Sequence, residues 1–136
     1  MREETTTAEQ TEAAGARLGE HLRAGDVVIV SGELGAGKTT FVRGAARALG
    51  VVGAVTSPTF EIGHLYAGRV EVAHLDLYRL PRLAAEDAAL LDDYLTPDRV
   101  AFVEWPGEAA AAIERVAARV AIEHLGGDRR AIEVER

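Results

Sequence analysis

The feature that most constrains the fold is a glycine-rich segment lying directly between a strand pattern and a helix pattern. Residues Val27–Val30 form an unbroken apolar run, typical of a strand buried on both faces of a parallel sheet. Residues Gly32–Thr39, here called the glycine loop, read Gly-Glu-Leu-Gly-Ala-Gly-Lys-Thr and fit G-x-x-x-x-G-K-[ST] at every position. A helix is predicted after the loop from the spacing of Phe41, Ala45, Ala48 and Leu49, and Gly50 is expected to end it. Strand, loop and helix therefore occur in the order that a phosphate-binding loop requires.

The remaining pattern predicts a single domain, residues 1–136, of the α/β class. A chain of 136 residues is long enough to bury one core. We predict a P-loop NTPase fold with a mostly parallel central sheet flanked by helices, plus antiparallel hairpin strands. A capping box at Thr7 and Gln10 predicts a first helix that ends around Ala24-Gly25-Asp26. The other predicted elements are hairpins at 61–77 and 116–134, helices at 83–91 and 107–115, and a strand at 99–104.

Each residue type of the glycine loop has a mechanical reason to bind a nucleoside triphosphate. Glycines let successive backbone N–H groups turn inward toward phosphate oxygens, and the following helix adds its positive dipole end. Lys38 is the only lysine of the chain, and we expect it to bridge the β- and γ-phosphates. The Thr39 hydroxyl is expected to take one position on Mg²⁺. The predicted nucleotide-binding residues are Leu34, Gly35, Ala36, Gly37, Lys38, Thr39 and Thr40.

Two acidic residues are candidates for a second part of the site. Asp76 ends the run Val72–Asp76, and Glu104 ends Val100–Glu104. The carboxyl ends of parallel strands meet at one edge of a sheet, where NTPases hold magnesium and the attacking water. We therefore predict catalytic roles for Lys38, Asp76 and Glu104, with Asp76 or Glu104 as the main metal ligand beside Thr39. For either acid alone, an ordinary strand-end carboxylate is an equally good interpretation.

Composition narrows the class of protein further. Without asparagine, the Asn-Lys-x-Asp motif of regulatory GTPases cannot be present, so adenine is the expected base. Without cysteine, and with four scattered histidines, any metal must be held by oxygen. A net charge of −7 and the lack of a basic arm argue against tight nucleic-acid binding by this chain alone. With no apolar run near the roughly 20 residues that span a bilayer, we expect no membrane association and a cytoplasmic location.

Four motifs, taken together, resemble the bacterial TsaE proteins, which are ATPases needed for threonylcarbamoyladenosine modification of tRNA. These motifs are Gly32–Thr40, Ser57-Pro58-Thr59-Phe60, His74-Leu75-Asp76-Leu77-Tyr78-Arg79-Leu80 and Val103-Glu104-Trp105-Pro106. The resemblance covers nearly the whole chain. It implies that Leu34–Thr39 bind the phosphates, that Thr39 and Glu104 bind Mg²⁺, and that Asp76 occupies a Walker B-like position. It also places Ser57 and Thr59 in a switch-like loop and implies a nucleotide contact near Thr11 or Glu12.

The same resemblance implies partners. TsaE proteins form a complex with TsaB and TsaD, in which TsaD transfers the threonylcarbamoyl group to adenosine 37 of tRNAs reading codons that begin with adenine. Contact with tRNA is then expected to be indirect. The chain departs from many relatives at Leu90–Tyr94 and at Gly107-Glu108, which touch possible partner surfaces rather than the glycine loop.

Three functions are compatible with these residues. The first is an accessory ATPase whose hydrolysis resets a tRNA-modifying complex. The second is a small-molecule kinase, which needs an acceptor pocket and a base for the acceptor hydroxyl. The third is a nucleotide-gated binding module, in which ATP orders loops and hydrolysis is incidental.

Overall fold

The structure, a computed structural model, describes residues 1–33, 36–55, 63–77, 91–104, 113 and 115–136. Within these ranges the chain forms seven strands and two helices with defined bounds, and residues 91–94 are also helical. The helices are α1 (Ala8–Gly19) and α2 (Lys38–Ala48). The strands are β1 (Arg2–Thr5), β2 (Val27–Ser31), β3 (Gly63–Tyr66), β4 (Glu71–Asp76), β5 (Arg99–Glu104), β6 (Val116–Gly126) and β7 (Arg129–Glu135).

The seven described strands form one sheet in the order β1-β7-β6-β2-β5-β4-β3. The four central strands β6, β2, β5 and β4 are parallel to one another. Antiparallel strands lie at both edges, with β3 pairing with β4 on one side and β7 and β1 extending β6 on the other. This arrangement confirms the predicted α/β fold and both predicted hairpins. Strand β2, which leads into the glycine loop, is hydrogen-bonded to parallel neighbours on both sides.

Two predicted boundaries differ from the structure. Helix α1 is capped by Thr7 as expected, since its hydroxyl accepts from the Gln10 backbone N–H at 3.1 Å. The helix ends at Gly19, however, and not near Gly25, because the chain tightens into three-residue turns from His21 onward. Arg115 has φ +60 and lies outside any helix, so a helix at 107–115 does not reach its predicted end. Residues 83–90, 107–112 and 114 of the predicted helices lie outside the described residues.

Strand β1 was not predicted. Its sequence, Arg-Glu-Glu-Thr, has no apolar alternation, so nothing local indicates a strand. It forms because the edge of β7 offers a row of backbone donors and acceptors, to which residues 2–5 pair antiparallel. Thr5 is buried at its end, where its Oγ1 lies 2.7 Å from the Thr11 Oγ1 of α1.

The sheet buries apolar side chains on both faces. One cluster joins even-numbered positions of the central strands, such as Val28, Val30 and Phe102, to helices α1 and α2. A second cluster gathers odd-numbered positions, such as Leu75 and Val103, on the opposite face. Alternation along a strand therefore tells which face each side chain occupies, and Asp76 and Glu104 share the face covered by α2.

Helices α1 and α2 touch through backbone atoms, because glycine occupies the contact positions. A Cβ placed on Gly44 of α2 would lie 1.9 Å from the Glu12 carbonyl oxygen of α1. A Cβ on Gly15 of α1 would lie 2.0 Å from the carbonyl oxygen of Phe41. Neither distance is possible for a real atom, so any side chain at these positions must push the helices apart. This contact fixes α2, the helix that begins at Lys38.

We expect Gly44→Ala to lower the free energy of unfolding by about 2 kcal/mol. Overpacking against rigid backbone costs up to about 3 kcal/mol, and the better helix propensity of alanine returns about 1 kcal/mol. Urea unfolding followed by circular dichroism measures the difference. Arg47→Ala in the same helix is the control, because it removes only an exposed ion pair to Glu12 worth at most about 1 kcal/mol. An unchanged midpoint for Gly44→Ala would show that the two helices separate without cost.

Candidate functional site

The carboxyl ends of β2, β5 and β4 meet at one edge of the sheet. Val30 of β2 is in register with Glu104 of β5, which is in register with Asp76 of β4. In-register residues of parallel neighbours point to the same face, so both carboxylates lie on the α2 side, next to the end of β2. The glycine loop leaves β2 at this point. Glu104 therefore ends a strand next to β2, as predicted, whereas Asp76 ends β4, which lies one strand further from β2.

The described part of the glycine loop adopts conformations that require glycine. Gly37 has φ +102 and caps the N-terminus of α2 without a side-chain hydrogen bond. Gly32 has φ +151, and a Cβ there would lie 2.5 Å from the Ile122 carbonyl oxygen of β6. The loop is thus closely packed against the sheet at one end and opens into an uncapped helix N-terminus at the other. Backbone N–H groups at such a terminus attract anions.

Lys38 lies at the centre of the site. Its side chain is 6% exposed, and its Nζ donates to the carbonyl oxygens of Gly32 at 2.7 Å and Glu33 at 2.9 Å. Burial lowers the pKa of the Lys38 ammonium, while the negative charges of Glu104 and Asp76 act against that shift. The ammonium is therefore within electrostatic reach of both strand-end carboxylates. Glu33, whose carboxylate would repel a phosphate group, is exposed to solvent.

Glu104 is buried, with 2% of its surface exposed, and it is paired with His74, to which the sequence motifs assign no role. The Nε2 of His74, on β4, lies 2.5 Å from Oε2 of Glu104. His74 itself is completely buried. The signal was present in the sequence, because His74 precedes Asp76 by two positions and strand alternation places both on one face. Alternation gives the face on which His74 lies but not its partner on the next strand, so the sequence does not predict the pairing with Glu104.

The predicted metal ligands form a set of oxygen donors suited to Mg²⁺. Thr39 is half-buried in the first turn of α2, and the carboxylates of Asp76 and Glu104 face the same helix. Within the described residues, no group of three or more histidine, aspartate or glutamate side chains could hold a metal alone. Mg²⁺ is commonly held by one or two carboxylates, while water and phosphate oxygens complete its coordination. The residues present therefore fit a magnesium ion that arrives with a nucleotide.

The other predicted nucleotide-binding residues are placed as follows. Ala36 is buried and Thr40 is half-buried, both next to Lys38. The hydroxyl of Thr11 is buried and engaged, since it lies 2.7 Å from Thr5 Oγ1 and 3.3 Å from the Thr7 carbonyl. Its nucleotide contact stays a prediction. Outside the described residues lie Leu34, Gly35, Ser57, Thr59, Arg79 and Trp105.

Arg130 is a second cation beside the glycine loop that the sequence did not indicate. A Cβ on Gly37 would lie 3.1 Å from its Nε, so the guanidinium flanks the start of α2. Its Nη1 donates to the carbonyl oxygens of Gly127 and Arg129, which hold the side chain on the β6–β7 turn. No local motif marks Arg130, because only the tertiary position of the hairpin brings it to the loop.

Comparison with known proteins identifies the family. The family model described as "Threonylcarbamoyl adenosine biosynthesis protein TsaE" matches residues 5–132. The chain belongs to the TsaE family. The resemblance of the four sequence motifs to TsaE proteins is thereby confirmed.

Relatives from the TsaE family align over most of the chain. A Streptomyces coelicolor protein named tRNA threonylcarbamoyladenosine biosynthesis protein TsaE is 43% identical, covering 84% of this chain and 79% of the relative. A Treponema pallidum protein of the same name is 33% identical, covering 98% and 99%. The crystal structure of Bacillus subtilis YdiB superimposes with a TM-score of 0.74 at 31% identity, over 97% of this chain and 82% of that one.

In the part of the chain that the structure describes, no helix combines the length and apolar character needed to cross a membrane.

Proposed function

We propose that this chain is the ATP-binding and ATP-hydrolysing accessory subunit required for threonylcarbamoyladenosine formation at position 37 of tRNAs that read ANN codons. It acts on a complex of TsaB and TsaD proteins. The single observation that carries the proposal is the position of Lys38, buried within a glycine loop and next to two strand-end carboxylates. Relatives named for tRNA threonylcarbamoyladenosine biosynthesis supply the pathway.

Several groups of the chain contribute to binding a triphosphate, each through a different contact. Loop amides and the N-terminus of α2 face the phosphates, and Lys38 exchanges its contacts to the Gly32 and Glu33 carbonyls for phosphate oxygens. Thr39, Glu104 and Asp76 would hold Mg²⁺, with Glu104 favoured as the main ligand because it is buried and oriented by a hydrogen bond. When bound, Mg²⁺ supplies charge neutralisation at the transferring phosphate.

The kinase and binding-module alternatives make different demands. A kinase needs an acceptor-binding pocket at the phosphate site. One described cavity, of about 380 Å³, is lined by Val27 and Arg99, at the opposite ends of β2 and β5 from the loop, and so is not placed to hold an acceptor at the phosphate site. A binding module would work without hydrolysis, so a mutant that binds ATP without hydrolysing it distinguishes this alternative from an ATPase.

The test is rescue of a strain that lacks its own TsaE protein, with the threonylcarbamoyladenosine content of its tRNA measured by mass spectrometry. We expect wild type to restore the modified nucleoside, and both the binding-deficient Lys38→Ala and the hydrolysis-deficient Glu104→Ala to fail. Full rescue by Glu104→Ala alone would favour the binding module. Purified chain that transfers phosphate to a metabolite, without release of free phosphate, would favour the kinase.

Glu104→Ala is expected to reduce the magnesium-stimulated rate of ATP hydrolysis about 100-fold, and to change ATP affinity without magnesium by less than threefold. The metal acts on charge that grows in the transition state, while the loop amides still hold the ground-state phosphates. The measurement is a magnesium titration of phosphate release. Glu71→Ala, at the opposite end of β4, is the control. An unchanged magnesium dependence in Glu104→Ala would move the metal role to Asp76.

A further inference from the structure

His74 is a fully buried polar side chain that the proposed function leaves unexplained. Its Nε2 lies 2.5 Å from Glu104 Oε2, and its Nδ1 has no hydrogen-bond partner within the described residues. A carboxylate only accepts hydrogen bonds, so the imidazole nitrogen that is bonded to it must carry the proton. His74 is therefore a donor from Nε2, aimed at one specific oxygen.

Two ordinary explanations of His74 fit less well. As a metal ligand it would belong to a cluster with the carboxylates, but Nε2 is hydrogen-bonded to Glu104, and no group of three or more such side chains able to hold a metal is found in the described part of the chain. As a simple core residue it would be costly, because an apolar side chain fills the same space without burying an unpaired Nδ1. The hydrogen bond to Glu104 is what distinguishes histidine here.

We infer that His74 is a positioning residue, which orients the Glu104 carboxylate so that Oε1 is presented to a divalent cation at the glycine loop. A carboxylate has two oxygens, and the bond from His74 occupies Oε2 and fixes the plane of the group. Hydrogen bonds of this kind to metal-binding side chains typically change metal affinity 10- to 100-fold. The inference rests on the proposed function, since it gives Glu104 its cation.

Strand geometry explains why His74 can do this. Residue pairs Asp76–Glu104 and His74–Phe102 are in register between β4 and β5, so His74 lies diagonally across from Glu104 on the shared face. Its ring reaches the carboxylate from the amino-terminal side of the strand, away from the glycine loop. The hydrogen-bond donor thus contacts Glu104 on the side away from the glycine loop and leaves the side facing the loop open for the ion.

The test compares His74→Gln with His74→Asn. A glutamine amide nitrogen reaches about as far as Nε2, whereas an asparagine amide reaches only the Nδ1 position, so the two variants differ in reach and little in polarity. The quantity measured by calorimetry is the ratio of ATP affinity with Mg²⁺ to ATP affinity with a chelator. We expect His74→Asn to lower this ratio at least 10-fold, His74→Gln to stay within about threefold of wild type, and the metal-free affinities to agree within about twofold.

Equal ratios for His74→Asn and wild type would overturn the positioning role, as would an equal loss in both variants.

A measurement on the wild-type chain does not depend on the variants folding. In ¹⁵N-histidine NMR we expect an exchange-protected proton on His74 Nε2, and its absence would also overturn the inference. If Mg²⁺ has no effect on ATP binding by wild type, the proposed function fails. If the wild-type effect survives in His74→Asn, only the role of His74 fails.

Discussion

Lys38→Ala is expected to weaken ATP binding about 100-fold or more and to abolish measurable hydrolysis. The ammonium is buried at the loop, where it offsets the charges of Glu104 and Asp76. Without it, a triphosphate would meet two carboxylates with no lysine to compensate. Loss of charge-assisted hydrogen bonds, worth about 1.5 to 3 kcal/mol each, accounts for the factor, since 1.4 kcal/mol is tenfold.

Lys38→Arg separates charge from shape and is expected to fail as well. The planar guanidinium is bulkier than an ammonium and must displace either the phosphates or the carbonyls of Gly32 and Glu33. Calorimetry with ATP measures both variants, and circular dichroism checks that each is folded. Arg43→Lys, on the second turn of α2, is the matched control because its contact is to the Val55 carbonyl. Substantial affinity in Lys38→Ala would remove the glycine loop from the nucleotide site.

The second large effect is expected on adding partner proteins. We expect the isolated chain to hydrolyse ATP slowly, and a TsaB–TsaD pair to raise turnover by about 10³-fold or more, the range seen when an arginine is supplied to a phosphoryl-transfer site. Arg130 is the described arginine that flanks the loop at Gly37, and its Nη1 is engaged by its own hairpin turn. The expected gain in rate comes from charge that a partner supplies at the phosphate site.

The measurement is ATP turnover and tRNA binding at one fixed salt concentration, for the chain alone and with the pair. Arg130→Ala is the informative companion variant. If Arg130 already serves as an internal finger, wild type alone is fast, Arg130→Ala slows it, and the partners add little. The net charge of −7 predicts weak tRNA binding by the chain alone, because it forgoes the counterion release that drives non-specific affinity. Tight binding by the isolated chain would contradict that prediction.

Local signals were strong enough to predict the centre of the fold. The apolar run at Val27–Val30 and the glycine loop after it gave the buried strand, the helix start at Lys38 and the convergence of Asp76 with Glu104. These features have short-range causes: strand burial on both faces, glycine conformations and strand-end acids. For the same reason, the two hairpins were recognisable from turn residues between alternating segments.

The structural features that could not be predicted from the sequence depend on long-range contacts. Strand β1 exists because of β7, which is over 120 residues away along the chain. Arg130 flanks the loop only through the placement of its hairpin, and Gly44 serves a helix contact that periodicity does not reveal. His74 is intermediate, since alternation put it on the right face but gave no hint that its partner would be Glu104 and not a metal.

The pairing of β2 also determines when the protein can acquire its site during synthesis. Residues 27–31 leave the ribosome before their two sheet neighbours, which are residues 101–104 and 116–121. Until these later segments emerge, the strand leading into the glycine loop has no lateral support, and the Ile122 carbonyl against which Gly32 packs is absent. Such non-local pairings form slowly. The nascent chain would therefore hold this apolar strand unpaired until residues 101–121 have emerged, and chaperone protection at Val27–Val30 is the expected consequence.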